Sequence, residues 1–287
     1  MNKPEDFPTN RKIGFHVSIA GGFSRAVGRA ISLGCTTFQI FSRNPRSWRF
    51  KRREGEVKNF REKLNSSSIK PVFIHTFYLM NLSSPDETLR SRSIGILKED
   101  IILARNMGIG AIVTHPGSGR FSKEIGIKML LKSLEEVILL LDEMGIYLLL
   151  ENTAGSGMSI GSFDELINVV KVLGKPEKIG FCLDTCHAFV SGIDIGDEKA
   201  LEGLMTSISS VGVDRLRLIH LNDSKAPFLS HVDIHEHIGK GYIGLDRFRI
   251  FLHYEPLSKI PIIMETPRRN DDDDLMNLKT VEKILRG

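Results

Sequence analysis

Short apolar segments recur along the whole chain, and most of them are continuous rather than alternating in polarity. They are rich in β-branched and aromatic residues, as are strands that are buried on both faces of a parallel sheet. We predict eight such strands, at residues 13–17, 37–41, 72–75, 111–115, 147–151, 179–184, 216–220 and 261–265.

Amphipathic segments with the 3.6-residue period of an α-helix lie between these strands. One of them repeats its apolar residues from Leu97 to Met107 and is followed by Gly108, the residue type expected at a helix C-terminus. We predict helices that end before Gly34, Gly108 and Gly145, and further helices at residues 56–66, 164–173, 197–210, 245–254 and 276–286.

This alternation of strands and helices, with no Pro/Ser-rich linker, predicts an α/β fold with a single closed (β/α)8 barrel. A length of 287 residues fits, because such barrels typically need about 250. A doubly wound open sheet is the alternative, but it needs a phosphate-binding glycine loop after an early strand, and Gly21-Gly22 is too short for one. We expect residues 1–12 to form a short N-terminal extension and residues 13–287 to form the barrel.

The composition narrows the class of protein. Hydrophobic residues make up 41% and charged residues 26% of the chain, as in globular proteins with a full-sized core. No apolar run approaches the roughly 20 residues that cross a bilayer, and the first residues lack the apolar segment of a signal peptide. The three cysteines are an odd count, which favours buried free thiols over disulfides. We therefore expect a cytoplasmic protein with no membrane contact.

Chemically active side chains stand where the predicted strands end, at His75, His115, Glu151, Asp184, His220 and Glu265. In a parallel barrel these ends converge on the face where active sites lie. Each residue alone could be a hydrogen-bonded buried group, but several carboxylates cannot be buried together without positive charge. His187 and residues 231–237 add further donors. Since catalytic zinc takes about three protein ligands, two or three metal ions are predicted, with zinc favoured by the mixed nitrogen and oxygen donors.

Several ordered blocks resemble the signatures of the endonuclease IV family. The blocks are GFHVS (14–18), NPRSW (44–48), HPGS (115–118), ENTAG (151–155), DTCHA (184–188), HLND (220–223) and HEHIG (235–239). The resemblance runs in order from about residue 13 to residue 267, which is nearly the whole chain.

The resemblance implies a trinuclear zinc cluster with three Zn2+ per chain, and manganese is the alternative ion at one site. Matching motif positions assign the first zinc to His75, His115 and Glu151. Glu151 would bridge to a second zinc that is also held by Asp184, His220 and Glu265. The third zinc would be held by His187, Asp233 and His235.

The resemblance also implies a DNA-repair hydrolase of the deoxyribonuclease IV type. Such an endonuclease cuts double-stranded DNA 5′ to abasic sites, leaves a 3′-hydroxyl and trims blocked 3′ ends. A hydroxide that bridges two zinc ions would attack the phosphorus, with Glu151 as the catalytic residue that orients it. We expect a monomer. A metal-dependent sugar isomerase or epimerase on the same barrel is the alternative, which the additional Asp233 and His235 and the basic loop around Arg46 disfavour.

DNA contacts are expected from loops on the same face. Arg46 is expected to bind phosphate, whereas Trp48 is expected to pack against the core. Tyr78 and Leu79 match family positions that enter the duplex and fill the gap left by a displaced nucleotide, with a structural tyrosine under the loop as the alternative. His16 is expected to support the site without binding metal. Two residues depart from the family pattern. Ile234 stands where a basic residue is usual, which puts one phosphate contact in doubt, and Lys240 replaces the more usual acidic residue and adds positive charge near the DNA.

Overall fold

The predicted barrel is present in the computed structural model, which describes residues 11–45, 47–48 and 55–287. Its eight parallel strands are β1 (Ile13–His16), β2 (Thr37–Phe41), β3 (Val72–His75), β4 (Ala111–Thr114), β5 (Tyr147–Glu151), β6 (Ile179–Asp184), β7 (Leu216–His220) and β10 (Ile262–Met264). They close in the order β1-β10-β7-β6-β5-β4-β3-β2. A small antiparallel pair that was not predicted, β8 (Asp223–Ser224) and β9 (His235–Glu236), lies between β7 and β10.

Helices connect the strands on the outside of the barrel. They are α1 (Phe23–Ser32), α2 (Glu56–Asn65), α3 (Glu87–Met107), α4 (Lys123–Met144), α5 (Phe163–Val172), α6 (Thr185–Ser191), α7 (Glu198–Ser209), α8 (Gly244–His253) and α9 (Asp271–Arg286). Gly108 and Gly145 adopt the left-handed conformation at the ends of α3 and α4, as predicted from their positions. None of the helices in the described ranges is both long enough and apolar enough to cross a membrane.

Two helices depart from the prediction by more than one residue. Helix α6 was not predicted, because it is short and buried along most of its length, so it has no polar face to give a helical period. Its N-cap is Asp184, whose Oδ1 accepts a hydrogen bond of 2.8 Å from the backbone N–H of His187. Helix α9 begins at Asp271 rather than residue 276, because Asn270 caps it and a run of aspartates occupies its first turn.

The core has two layers, separated by the alternation of side chains along each strand. Residues such as Ile74 and Leu150 face the helices and belong to the larger cluster. The inner layer fills the barrel and consists of Phe73, Ala111, Val113, Leu149, Cys182, Leu218 and Ile263. Apart from Ala111, which precedes Val113 in the same layer, each of these residues is followed two positions later by a side chain that points to the same side, towards the C-terminal mouth. The strand-end side chains therefore lie directly above the inner layer of the core.

Arg11 packs against the opposite, N-terminal end of the barrel. Its guanidinium donates hydrogen bonds to the carbonyl oxygens of Leu252 (3.0 Å) and Leu257 (2.7 Å), and burial lowers its pKa to about 10. The described part of the segment that we assigned to the N-terminal extension therefore contacts the barrel. The domain boundary at residue 13 stays a prediction.

All three cysteines are buried and free, as predicted. Burial raises the pKa of the Cys35 and Cys182 thiols to about 12, so both remain protonated at neutral pH.

Candidate metal centre

The structure brings all nine side chains that the resemblance assigned to metals to the C-terminal mouth of the barrel. They form three groups, and within each group the potential ligand atoms lie within 4.8 Å of one another. The groups are His75, His115 and Glu151; then Glu151, Asp184, His220 and Glu265; and then His187, Asp233 and His235.

Glu151 joins the first two groups. Its Oε2 lies 3.0 Å from Nε2 of His75 and 3.3 Å from Nε2 of His115. Its Oε1 lies 3.0 Å from Nδ1 of His220. Because the two oxygens face different groups and the carboxylate is buried, Glu151 has the geometry of a bridging ligand.

The third group depends on a loop. Nε2 of His187 lies 3.1 Å from Oδ2 of Asp233, and Nε2 of His235 lies 3.3 Å from Oδ1 of the same carboxylate. His187 is buried on α6, whereas the side chain of Asp233, in the loop between β8 and β9, is 53% exposed. This group therefore lies at the outer edge of the site.

Most of the imidazoles are held by a hydrogen bond to a carbonyl oxygen. In each of the four bonds a ring nitrogen donates to a carbonyl oxygen: His75 Nδ1 to Thr76 O (2.6 Å), His187 Nδ1 to Asn152 O (2.9 Å), His235 Nδ1 to Glu265 O (3.1 Å) and His220 Nε2 to Gln39 Oε1 (3.0 Å). A carbonyl oxygen only accepts, so these ring nitrogens carry hydrogen. In a neutral imidazole the opposite nitrogen then turns a lone pair towards a carboxylate, which requires a cation between them.

The charges of the cluster keep Glu151 ionised. Burial raises the pKa of Glu151, but the nearby His115 and His220 outweigh it and hold the pKa well below its usual range. Burial likewise lowers the pKa of His187 and His235, but Asp184 and Asp233 raise these pKa values to about 10 and about 9. Without metal, protons therefore balance the carboxylates.

The donor set fits divalent metal ions. Nε2 of His235 is buried and has no hydrogen-bond partner within the ranges that the structure describes, although it is aimed at Asp233 and Asp184. A metal ion would satisfy this nitrogen. Cys186 lies close to Asp184 and His235, but burial raises the pKa of its thiol and disfavours the thiolate that metals bind.

Two asparagine side chains that were not predicted as site residues hold the carboxylates in place. Nδ2 of Asn222 donates to Oδ2 of Asp184 (2.7 Å), and Oδ1 of Asn222 accepts the backbone N–H of Glu265 (2.8 Å). Oδ1 of Asn152 accepts the backbone N–H of Asp184 (2.7 Å). Both asparagines lie in blocks that carry the resemblance, one or two residues after a strand end, and this placement was the available signal.

His16 supports the site in the way that we expected. Its Nδ1 lies 2.8 Å from Oε1 of Glu265, and because an ionised carboxylate only accepts, this nitrogen is the donor. Three other histidines lie outside the three groups. His231 bonds to Ala154 O, His237 to Asn277, and His253 to Arg249 O.

The loop after β3 presents two of the residues that were assigned to DNA. Tyr78 and Leu79, after β3, are 65% and 39% exposed, and Tyr78 contacts Phe41 edge-on at a centroid distance of 5.3 Å. Trp48 packs edge-on against Phe77 (5.0 Å), which confirms its expected packing role. Arg46 lies outside the described residues.

Ile234 and Lys240, the two departures from the family pattern, are both exposed. Ile234 is exposed beside Asp233, so the surface next to the third group is apolar at this position. The ammonium of Lys240 lies 3.1 Å from the sulfur of Met276. Nothing in the structure explains the lysine at position 240.

A family model, a related sequence and a solved structure all place the chain in the same family. A family model described as a xylose isomerase-like TIM barrel matches residues 27–284. A protein of Geobacter sulfurreducens named Probable endonuclease 4 is 36% identical over 282 residues, covering 96% of this chain and 95% of that protein. The crystal structure of endonuclease IV from Thermus thermophilus matches with a TM-score of 0.80 and 37% identity, covering 96% of this chain and 99% of that one.

Epimerases share the architecture at lower identity. The crystal structure of a D-tagatose 3-epimerase-like protein matches with a TM-score of 0.75 and 18% identity, covering 95% of this chain and 97% of that one. A likeness at this identity concerns the barrel fold alone. By sequence and structure together, the chain belongs to the endonuclease IV family of the xylose isomerase-like TIM barrels.

Proposed function

We propose that this protein is a DNA-repair endonuclease that hydrolyses the phosphodiester bond 5′ to abasic sites in double-stranded DNA and leaves a 3′-hydroxyl. The observation that carries the proposal is the joining of three imidazole–carboxylate groups at one mouth of the barrel, through Glu151 and around Asp184. Phosphodiester hydrolysis needs positive charge on both sides of the reacting phosphate, and linked cation sites supply it.

The three groups would hold three zinc ions, one in each group, with manganese as the alternative at one site. Bound zinc lowers the pKa of a water molecule to about 7 and neutralises charge on the phosphate and the leaving oxygen. The residues supply the rest of the chemistry. Buried Glu151 fixes the separation of the first two groups, and the exposed Asp233 leaves the third group open to solvent and so to a large substrate.

The rim of the site suits a duplex. Tyr78 and Leu79 project from the mouth as exposed large side chains. Apolar wedges of this kind unstack bases and occupy the space of a displaced nucleotide. Although most of the Tyr78 side chain is exposed, partial desolvation of its hydroxyl and the negative charges of Glu265 and Glu151 raise its pKa to about 12, so the hydroxyl stays neutral beside DNA.

A sugar isomerase or epimerase is the weaker alternative. Such an enzyme encloses a small substrate, whereas the side chain of His115 is 34% exposed and that of Asp233 is 53% exposed. The third group, with His187, Asp233 and His235, also exceeds what an enzyme with one or two metal ions needs.

The deciding experiment is incision of a labelled duplex that carries one abasic site, beside an identical duplex with an intact base. We expect a nick 5′ to the abasic site that chelation abolishes and zinc restores, and about three zinc ions per chain by elemental analysis. Epimerisation of a ketohexose by the same preparation, without nicking, would establish the alternative. Light scattering during gel filtration tests the proposed monomer.

A further inference from the structure

Gln39, the only glutamine of the chain, has its side chain in the metal centre although it was predicted only as part of a strand. It lies in β2, is fully buried, and is paired in register with His16 of β1. Its amide contacts two of the side chains that would hold the second metal ion. Nε2 of His220 donates to its Oε1 (3.0 Å), and its Nε2 donates to Oε1 of Glu265 (2.8 Å).

The bond to His220 decides which ring nitrogen carries hydrogen. Since Gln39 Oε1 takes the Nε2 hydrogen, Nδ1 of His220 is left to face Oε1 of Glu151 at 3.0 Å and Oε2 of Glu265 at 3.5 Å. Without this acceptor, His220 would place a hydrogen on Nδ1 and donate it to the carboxylates. That tautomer blocks the nitrogen that a metal ion needs.

The bond to Glu265 decides which carboxylate oxygen is available. Oε1 of Glu265 accepts from both Gln39 Nε2 and His16 Nδ1, each at 2.8 Å. Oε2 therefore remains for the group that contains Glu151 and His220. A single amide, with an acceptor and a donor on one carbon, orients ligands that come from two other parts of the barrel.

We infer that Gln39 is a positioning residue for the second metal site, where it sets the tautomer of His220 and the orientation of Glu265. The inference rests on the proposed metal-dependent function. Removing an outer hydrogen-bond partner of a metal ligand typically costs about 10–100-fold in metal affinity. We expect this loss at one of the three metal sites, because Gln39 contacts ligands of the second group.

The test compares Gln39→Leu with Thr37→Val in the zinc-loaded protein. Thr37 lies in the same strand, is fully buried, and donates to Pro71 O at 2.6 Å, so Thr37→Val also removes one buried hydrogen bond but touches no metal ligand. Zinc is titrated out with a chromophoric chelator in the absence of DNA. We expect Q39L to lose one zinc equivalent about 10–100-fold more readily than the wild-type protein, and T37V to retain all of its zinc.

A second variant and a second measurement separate positioning from packing. Gln39→Glu keeps an acceptor for His220 but removes the donor to Glu265. Nitrogen-15 spectra of labelled imidazoles, assigned with a His220→Asn variant, should show the wild-type His220 tautomer in Q39E and its loss in Q39L. Both variants at this position are checked by circular dichroism, and Q39E carries the tautomer test if Q39L does not fold.

The results distinguish this inference from the proposed function. Zinc retention within about threefold of wild-type in Q39L, an equal loss in T37V, or an altered His220 tautomer in Q39E would overturn the role of Gln39. Because zinc is measured without DNA, a wild-type protein that binds zinc but does not nick abasic DNA would reject the proposed function and leave the Gln39 test intact.

Discussion

The Nε2 atom of His187 lies 3.1 Å from Oδ2 of Asp233, and this contact links a buried side chain of α6 to an exposed loop. His187 is fixed by α6 and by its hydrogen bond to Asn152 O. Asp233, by contrast, is exposed and belongs to no strand or helix. The third group therefore depends on a residue that can be changed without disturbing the core.

Asp233→Asn should remove one metal equivalent and slow incision by about 10²–10³-fold, the usual effect of losing one group that stabilises charge on the reacting centre. The melting temperature should fall by less than after complete chelation, because only one of the three metal ions is lost. Incision rates and elemental analysis are measured together. Asp246→Asn, at an exposed position on α8, is the matched control. Full metal content and normal rates in D233N would remove Asp233 from the ligand set.

Glu151→Gln should nearly abolish incision. The carboxylate has one oxygen towards His75 and His115 and the other towards His220, and a neutral amide cannot hold cations on both sides. Single-turnover incision of an abasic duplex measures the effect. Glu177→Gln, at an exposed position before β6, should behave as wild-type. A folded, metal-loaded E151Q protein with normal turnover would contradict the bridging assignment.

Prolonged chelation should lower the melting temperature as well as abolish activity. Metal that binds only the folded protein stabilises it by mass action, by about 3–4 kcal/mol at free metal concentrations of 100 to 1,000 times Kd. The ligands come from β3 to β7, their following loops and the end of β10, so the loss affects most of the rim. Zinc should restore both properties, whereas magnesium should not. An unchanged melting curve after chelation would argue against tightly bound metal.

Arg46→Ala should weaken binding to abasic and intact duplexes to the same extent. A phosphate contact carries no information about the lesion, and its loss reduces the slope of log K against log salt by about one. Fluorescence anisotropy at several salt concentrations measures both. Lys259→Ala removes an equal charge three residues before β10 begins, at the opposite end of the barrel, and should leave the slope unchanged. An unchanged slope for R46A would show that Arg46 is a solvated residue that makes no phosphate contact.

Asp274 should make stability depend on pH. Burial raises the pKa of Asp274 from 3.8 to about 6, and Arg268 only partly opposes this. A carboxyl with a raised pKa in the folded state favours folding when it is protonated, and this contribution is lost as the pH rises through about 6. The melting temperature of Asp274→Asn relative to wild-type should therefore increase by about 2–4 °C between about pH 4 and pH 7.

Asp272→Asn is the control for that measurement, because Asp272 is an exposed acid in the same helical turn. The melting temperature of Asp272→Asn relative to wild-type should not rise between about pH 4 and pH 7. A difference between D274N and wild-type that is independent of pH would show that Asp274 does not titrate in this range.

The sequence by itself determined the barrel and the positions of the strand-end side chains. Strands buried on both faces must be continuously apolar, so their ends were visible where His75, Glu151 or Asp184 interrupted an apolar run. Parallel strands in a barrel share one C-terminal face, and this geometry alone brings those ends together. The strand boundaries were accordingly predicted to within one residue at each end.

Only the tertiary structure decided which side chains touch. The β8–β9 pair and α6 lack a sequence period because their environment is set by neighbouring loops rather than by one buried face. Gln39 looked like an ordinary strand residue, since nothing local shows that its amide reaches His220 and Glu265, which are distant in sequence. Hydrogen bonds between strands depend on register and on distances of a few tenths of an ångström, and a one-dimensional pattern of polarity does not contain them.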